Sequence, residues 1–579
     1  MVQDIYDPLK EYIDVFRPRF RQVAESTFEQ LAGEAHVDVE ANRATCTELY
    51  RTESSLDSLE KKIKWWMVLR VALWIIVGTG ALYILVQYAK ADLVVLVCVG
   101  LVVVASLAAL FSTVHPRLKE MKGESADLLK DIEDLLGKAW EQMQPLNRLY
   151  DLDVLTRMMT QTVPRLEFDP YFTKQRLADL RMTYGWDGSF NEERSVIYSH
   201  SGLINGNPFV ICRTRKMEMG TKTYDGELVI HWTETERDSD GKYYTVEHSE
   251  TLHASVTAPY PYYPETTRLI YGNTAAPDLI FYRQQSGLAG KERSFAFRSH
   301  RNELRKKARD LTNADFAMMT NEEFETCFDT SNRNHNQQFA LLFTPLAQES
   351  MLSLLRDKEA GYGDDFDFHK DKMINCIEAA HMQELNLDMD PRQYEHFDFD
   401  EAQKAFVGIN ANYFRAIYFT LAPLLCVPMY QQIRPLSEIY GHGMAPHSSF
   451  WEHEAIANFW GEKHFMHPDC VTQCVLKTYE QSSTPDDSKI TVYAYGHSAE
   501  DRVTYISKYG GDGNWHDVPV YWQEYIPVVG NGAISIHEDN GSEVDDPKVT
   551  QTQRLSHISS LLSANGLSLY RRHIASRLS

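Results

Sequence analysis

The sequence predicts an α+β protein: a transmembrane helical hairpin with a helical stalk, plus a cytoplasmic body of antiparallel β units and helices. Three observations predict it. Two long apolar runs lie back to back at residues 71–88 and 93–114. Apolar residues recur at helical spacing on both sides of that pair. From about Pro164 the pattern changes to short alternating runs punctuated by turn residues.

A chain of 579 residues holds roughly three to five domains. The boundaries read as N-terminal helices (1–64), the two-span hairpin (65–115), the stalk (116–163), two α+β domains (164–360 and 361–540) and an amphipathic tail (541–579). With 43% hydrophobic residues the chain can build real cores. A mean hydropathy of −0.39 makes most of it soluble. The net charge of −23 argues against a nucleic-acid partner, because phosphate neutralisation needs clustered Lys and Arg. Its 8 cysteines are scattered, which is not the dense pattern of a disulfide scaffold; free thiols in a reducing compartment are expected. "MVQDIYDPLKEYIDVF" lacks a basic stretch followed by an apolar run, so no cleavable signal peptide is read.

The runs "VALWIIVGTGALYILVQY" and "LVVLVCVGLVVVASLAALFSTV" each approach the ~20 residues that cross a bilayer. Neither holds an ionised side chain. Arg70 can snorkel at the first edge, and Trp65 and Trp66 suit the interface. A buried soluble hairpin is the alternative, and the length and purity of both runs weigh against it. Lys61, Lys62, Lys64 and Arg70 precede the pair; Arg117, Lys119 and Lys122 follow it; the connector offers only Lys90, offset by Asp92. The positive-inside rule places both termini in the cytoplasm. Spans without ionisable groups read as an anchor rather than an ion path.

Ile5, Leu9, Tyr12, Phe16, Phe20 and Val23 form one helical face, which Pro18 interrupts and kinks. Leu118, Met121, Leu128, Ile132, Leu135, Ala139, Met143 and Leu146 repeat at near-heptad spacing, predicting a coiled-coil-like stalk. These faces can equally pack on the body. Beyond Pro164, Asn205-Gly206 and Asp238-Ser239-Asp240-Gly241 read as turns between strands, and "APYPYYPETTR" as a loop. Arg298, Arg301, Arg305, Lys306, Lys307 and Arg309 form a basic cluster, read as a solvated helix face before a lipid contact. "FALLFTPLAQESMLSLL" reads as a strand followed by a helix. Residues 410–432 are apolar enough to consider as a third span, but Arg415, Pro423 and Pro428 make them a buried core helix. "KITVYAYG", "RVTYISKYG" and "VPVYWQEYIPVVG" read as further strands. The tail "QRLSHISSLLSANGLSLYRRHIASRLS" can lie on a membrane, bind a partner helix or dock on its own body.

This order of elements resembles a family of bacterial two-span membrane proteins classified as a domain of unknown function. Phe324, Phe328, Phe343-Thr344-Pro345, Met351 and Leu354-Leu355 stand where that family carries its "EF…F" and "LTP…M..LL" phrases. The likeness is patchy and covers about the first 360 residues. It implies a bacterial source, and with it a two-pass protein of the inner (plasma) membrane. It carries no activity.

The one metal-like constellation is "EKHFMHPDCVTQC". His464, His467, Cys470 and Cys474 fall at steps of three, three and four, and their nitrogen and sulfur ligands suit zinc. Pro468 lies inside the set and no second ligand pair follows, so buried thiols and capping histidines are the stronger reading. Neither a metal nor a cofactor is expected. "WEHEAIANFW" begins like a zincin helix without its second histidine, so Glu452 and Glu454 are expected to cap or solvate a helix. "YGDDFDFHKD" and "NLDMDPRQYEHFDFDE" read as acidic loops. "KYGGDGNWHD" reads as a hairpin turn rather than a phosphate cradle.

The expected function is a membrane-anchored cytoplasmic scaffold that recruits a protein partner or self-associates, with the lipid bilayer as its other partner. The first alternative is a membrane-face enzyme, such as a metal-dependent hydrolase built on region 442–474, which would need His453, Glu454 and His467 in one deep pocket. A weaker one is an oligomeric channel.

Overall fold

The computed structural model describes residues 5–87, 93–187, 193–237, 242–310, 316–433, 447–484, 486–539 and 549–579. The connector with Lys90 and Asp92 and the turn Asp238–Gly241 lie outside the described residues. The chain is a mixed helix and antiparallel-sheet protein with two long apolar helices. It divides into two compact units. One comprises Met1–Ala24, Leu152–Asp390 and Ile409–Ser579; the other comprises Glu25–Asp151 and Pro391–Gly408.

The second unit is dominated by helices. One runs unbroken from Val39 to Gln87, roughly 70 Å at 1.5 Å per residue. Leu93–Ala109 continues through a π-turn at Leu110–Val114 into His115–Asn147. The two rods run antiparallel. Gln142 donates to Thr45 Oγ1 at 3.2 Å near one end, Trp74 meets Phe111 edge-on at 6.5 Å further along, and Gly80 lies against Val103. Ile63, Val114, Leu118 and Met121 form a buried cluster between them. The π-turn has a local cause. Pro116 has no N–H to donate to the Ser112 carbonyl and its ring crowds that oxygen, so the helix widens one turn earlier. The N-terminal helix repeats the device: a π-turn at Tyr12–Phe16 precedes Pro18. The predicted kink is thus a local widening.

Among the described residues, fourteen strands are placed: β1 (Leu166–Phe168), β2 (Arg194–Ile204), β3 (Asn207–Lys216), β4 (Glu218–Arg237), β5 (Tyr243–Tyr262), β6 (Glu265–Gly272), β7 (Ile280–Arg283), β8 (Phe366–Asp371), β9 (Ile374–Ala379), β10 (Val475–Ser483), β11 (Asp487–Tyr509), β12 (Trp515–Glu538), β13 (Leu569–Arg571) and β14 (Ile574–Leu578). All lie in the first unit. They form a seven-stranded sheet of order β1-β2-β3-β6-β9-β8-β7, a five-stranded sheet of order β10-β11-β12-β14-β13, and the ribbon β4-β5. Every pairing is antiparallel. The runs "KITVYAYG" and "RVTYISKYG" are one continuous strand, β11, paired with β12 along its length. The ribbon β4-β5 packs on β11-β12 through Ile230, Leu252, Ala254, Val518 and Val520. "APYPYYPETTR" is not a loop but the end of β5 and the start of β6. Pro259 and Pro261 are tolerated because β5 pairs on one side only, with β4, and Pro264 lies in the short link between the two strands.

"FALLF" corrects another expectation. Asn336–Leu342 is a helix, capped by His335. Phe339 and Phe343 bury their rings against Phe281, Phe324 and Phe328; their spacing of four puts both on one side of a helix, as it would on a strand, so spacing alone does not separate the two. Of the residues that carry the two-span family likeness, Phe324, Phe328, Phe343, Met351, Leu354 and Leu355 are buried, Thr344 is half-buried and Pro345 is exposed. The tail also differs from a free amphipathic segment. Helix Gln551–Asn565 begins with a capping box at Thr550 and Gln553. Its successor is the hairpin β13-β14, added to the edge of β12, with Arg572 and His573 at positive φ in the turn.

Candidate functional site: a charged cleft on the seven-stranded sheet

One face of the seven-stranded sheet is only partly covered. Helix Lys174–Met182, started by Thr173 Oγ1 accepting from Arg176 N at 3.0 Å, and helix Phe450–Trp460 press Leu177, Leu180, Trp451 and Ala455 onto Val196, Val210, Cys212 and Ile270. The cover stops at Tyr184 and Trp186, whose indole leans on buried Trp451 at 5.1 Å. Beyond that wall, β6, β9, β8 and β7 carry their outward side chains into a cleft of about 370 Å³, within the range of small-ligand pockets.

Strand alternation sorts the lining. On β8, Asp367, His369 and Asp371 face the cleft while Phe366, Phe368 and Lys370 are buried on the other side. On β9, Ile374, Cys376 and Glu378 do the same against Asn375, Ile377 and Ala379. Cross-strand register lays Tyr282, His369, Cys376 and Ile270 in one row across the floor. The acidic loop read at "YGDDFDFHKD" is therefore wrong for its second half, which is strand β8. The period-two alternation of Phe with Asp and His was the signal that could have found it.

Charge is divided across the cleft. Arg194 and Arg268 stand at the β2 and β6 end, and Arg268 is ion-paired with Glu378. Burial, and next the neighbouring Arg268, pull Arg194 below the usual arginine range, against the pull of Glu193 and Glu378. At the β8 end, Asp367 accepts from the Tyr282 hydroxyl at 3.1 Å, and Asp371 is exposed and enters no ion pair among the described residues. Burial pushes the Cys376 thiol up to about 12, which keeps it protonated and a poor nucleophile at neutral pH.

Beside the cleft's cover lies a buried ionic cluster, and it corrects the reading of Glu452 and Glu454. Both are fully buried rather than capping or solvated. Glu452 accepts from Phe172 N at 3.1 Å and pairs with Arg571. Arg571 also pairs with Asp388, its Nε at 3.0 Å, and His200 Nε2 lies 3.1 Å from the same carboxylate. Burial alone would raise the Asp388 carboxyl; Arg571 and His200 hold it well below the usual range. Burial, and next Arg572, lower His200 to about 4, so it is neutral at pH 7. Glu454 meets Lys477 at 2.6 Å and accepts from Val196 N at 3.0 Å. Removing one member of such a set leaves a buried charge uncompensated.

The four metal candidates are only partly gathered. Cys470 and Cys474 lie side by side, Sγ to Sγ 3.6 Å, beneath Gly496, where a Cβ would collide with both sulfurs. His467 is beside Asp469 on the surface, at 3.7 Å, and His464 meets the Trp460 ring edge-on at 6.3 Å. No group of three His, Cys, Asp or Glu suited to holding a metal ion occurs among the described residues. Nor do His453, Glu454 and His467 share a pocket. His453 is buried against Ser448 Oγ at 2.9 Å, and burial lowers it to about 4. Residues 442–446 of that region lie outside the described residues.

No protein-family model, curated protein or solved structure matches this chain.

Proposed function

We propose that this chain is a two-pass protein of the bacterial inner membrane, with both termini and the sheet-built body in the cytoplasm, and that it recruits a partner to the membrane face. The observation that carries the reading is the uncovered apolar surface of the two long helices. None of the most apolar 18-residue window of the first is buried, and 11% of the second. A core helix of a soluble protein would be mostly covered, because leaving that much apolar surface in water costs about 25 cal/mol per Å². The basic flanks, Trp65 and Trp66, and eight free cysteines support the orientation.

Recruitment is supported by the ribbon β11-β12, which leaves Tyr505, Tyr509, Trp515 and Tyr521 more than half exposed. Such aromatics are typical of contact surfaces, where they bring large apolar area at low entropic cost. Alkaline extraction of membranes followed by protease treatment tests the reading. The full-length chain is expected to stay in the pellet and its body to be digested only in inverted vesicles. Release into the supernatant, or digestion in intact spheroplasts, refutes it.

A further inference from the structure

We infer that helix Phe295–Arg309 is a docking surface for an anionic bilayer, with Arg298, Lys306 and Arg309 on lipid phosphates and Phe295 sunk between the headgroups. The choice of a bilayer rests on the membrane attachment proposed above, which keeps lipid within reach of the body. The charge and geometry of the helix stand without it.

The inner face of the helix is tied down. Ser294 Oγ accepts from Phe297 N at 3.1 Å and starts the first turn. Phe297 and Leu304 are buried, His300 Nε2 lies 3.0 Å from Asp329, and Lys307 Nζ donates to the Ser331 carbonyl at 2.8 Å. These four residues follow one another at helical steps, so the opposite face is turned outward.

That outward face carries Phe295, Arg298, Asn302, Lys306 and Arg309, and all five are exposed. Phe295 is 82% exposed, an unusual place for a phenyl ring. Arg298, Lys306 and Arg309 enter no ion pair among the described residues; nor do Lys291 and Arg293, just before the helix, or Arg301 on its flank. Arg298 donates only to the carbonyls of Ser294 and Arg293, at 3.3 Å each, which satisfies its N–H groups but not its charge. The neighbouring carboxylates are committed elsewhere: Glu322 to Arg305, Asp329 to His300, and Glu292 and Glu323 to Arg356. Glu303 lies near His300, about 110° around the helix from the stripe. Even with Glu303 and Asp310 counted against them, the six cations are in clear excess, in a chain whose net charge is −23. Fields fade within about 8 Å at physiological salt, so this patch rather than the whole chain decides what docks on it.

A bilayer meets both parts of the stripe. It presents phosphate along the whole of a helix face roughly 21 Å long, and an apolar phase for Phe295 at its end. Basic residues clustered on a helix beside an exposed aromatic are the surface-helix pattern for anionic lipid. A polyanion in water neutralises the cations but gives Phe295 no apolar phase.

The test is co-sedimentation of the full-length protein, held in phosphatidylcholine nanodiscs, with separate large vesicles. The vesicles are phosphatidylcholine alone, or phosphatidylcholine with about one phosphatidylglycerol in four lipids. Binding is expected to the anionic vesicles only, and about 0.5 M salt should abolish it. Arg298→Gln and Lys306→Gln should each weaken it about fivefold, the worth of one cation near an anionic surface. Phe295→Ser should weaken it without changing its salt dependence. Lys508→Gln, at an exposed lysine of β11, should leave it unchanged. Near-UV circular dichroism like that of the unaltered protein establishes that each variant is folded, so that a loss of binding is the loss of a contact. Equal pelleting with neutral vesicles, none with anionic ones, or an equal loss in Lys508→Gln overturns the assignment. So does binding of polyglutamate as tight as that of anionic vesicles and undiminished in Phe295→Ser, which would assign the surface to an acidic polypeptide. Because the vesicles are supplied separately, the outcome does not depend on whether the apolar helices span a membrane. If they do not, the chain is assayed without nanodiscs and the same results decide.

Discussion

Two kinds of apolar helix occur in this chain, and their surroundings are opposite. The helices Val39–Gln87 and Leu93–Ala109 leave Leu85, Leu93, Val94 and Leu101 well exposed. The stretch Phe414–Val427, nearly as apolar to the eye, is buried almost throughout. Arg415 explains the difference. Its guanidinium donates to the carbonyls of Ala360 and Gly361 at 2.7 Å each and stacks over Tyr362 at 4.4 Å. Inside lipid, no such acceptors exist unless another protein segment supplies them. Aromatic partners complete the pocket: Phe20 stacks on Phe414 at 4.2 Å, and Tyr12 meets Phe419 edge-on. An apolar stretch is thus covered by protein or left open according to whether a matched surface packs on it.

Four experiments break or sharpen that contrast. The largest expected effect is acid. His200 and His453 are both held near 4 in the folded body, below the unfolded value of about 6.5. A depressed histidine contributes stability that is present above pH 6.5 and is lost as pH falls toward 4. The pair together represents a few kcal/mol at the lower limit. Near-UV circular dichroism of the body should collapse across that window, while far-UV helix signal from the hairpin, whose apolar spans hold no Asp, Glu, His, Lys or Arg, persists. Next in size, Phe414→Ala should cost about 3–5 kcal/mol in chemical denaturation, whereas Leu101→Ala should fall within about 0.5 kcal/mol. A similar loss at both sites would erase the distinction.

Insertion provides the third measurement. Val102→Lys is expected to oppose membrane insertion by about 2.5–3.5 kcal/mol and to appear as a larger alkali-extractable fraction; an unchanged fraction would count against a spanning second helix. The smallest effect concerns how the two helices touch. A Cβ at Gly80 would strike Val103, whereas Gly78 and Gly100 have nothing within 4 Å. Gly80→Leu should therefore destabilise the hairpin by about 1–3 kcal/mol and Gly78→Leu scarcely at all, as read by the urea midpoint of the isolated helical signal.

Legibility tracked the range of the interactions. The apolar helices, the turn at Asn205-Gly206 and the helix at Pro345–Arg356 rest on neighbours within a few residues, and sequence pattern reaches them. "FALLF" did not, because a short apolar run reads alike as strand or helix until its partners, Phe281, Phe324 and Phe328, are in place. Glu452 and Glu454 looked like surface carboxylates because their cations, Arg571 and Lys477, are far away in the chain. The cleft was missed for the same reason: Arg194, Arg268, Asp371 and Glu378 come from four strands, and only β8 betrayed itself by alternation. His464, His467, Cys470 and Cys474 show the converse. Close sequence spacing brought two sulfurs together and left both histidines elsewhere, because Pro468 and the start of β10 prevent the helix that would have aligned them.

By itself the sequence determined which stretches are too apolar to face water unaided and that Pro18 interrupts the regular N-terminal helix, because composition and local sterics decide those matters residue by residue; that the interruption is a widening, and that Leu110–Val114 repeats it, came from the structure. Only the tertiary structure decided that Phe414–Val427 is covered while Leu93–Ala109 is not, that Asp388, Glu452 and Arg571 share one buried cluster, and that Arg194, Arg268 and Asp371 line one cleft over the row Tyr282, His369, Cys376 and Ile270. Those outcomes depend on strand order and register, which bring together side chains that no local pattern relates.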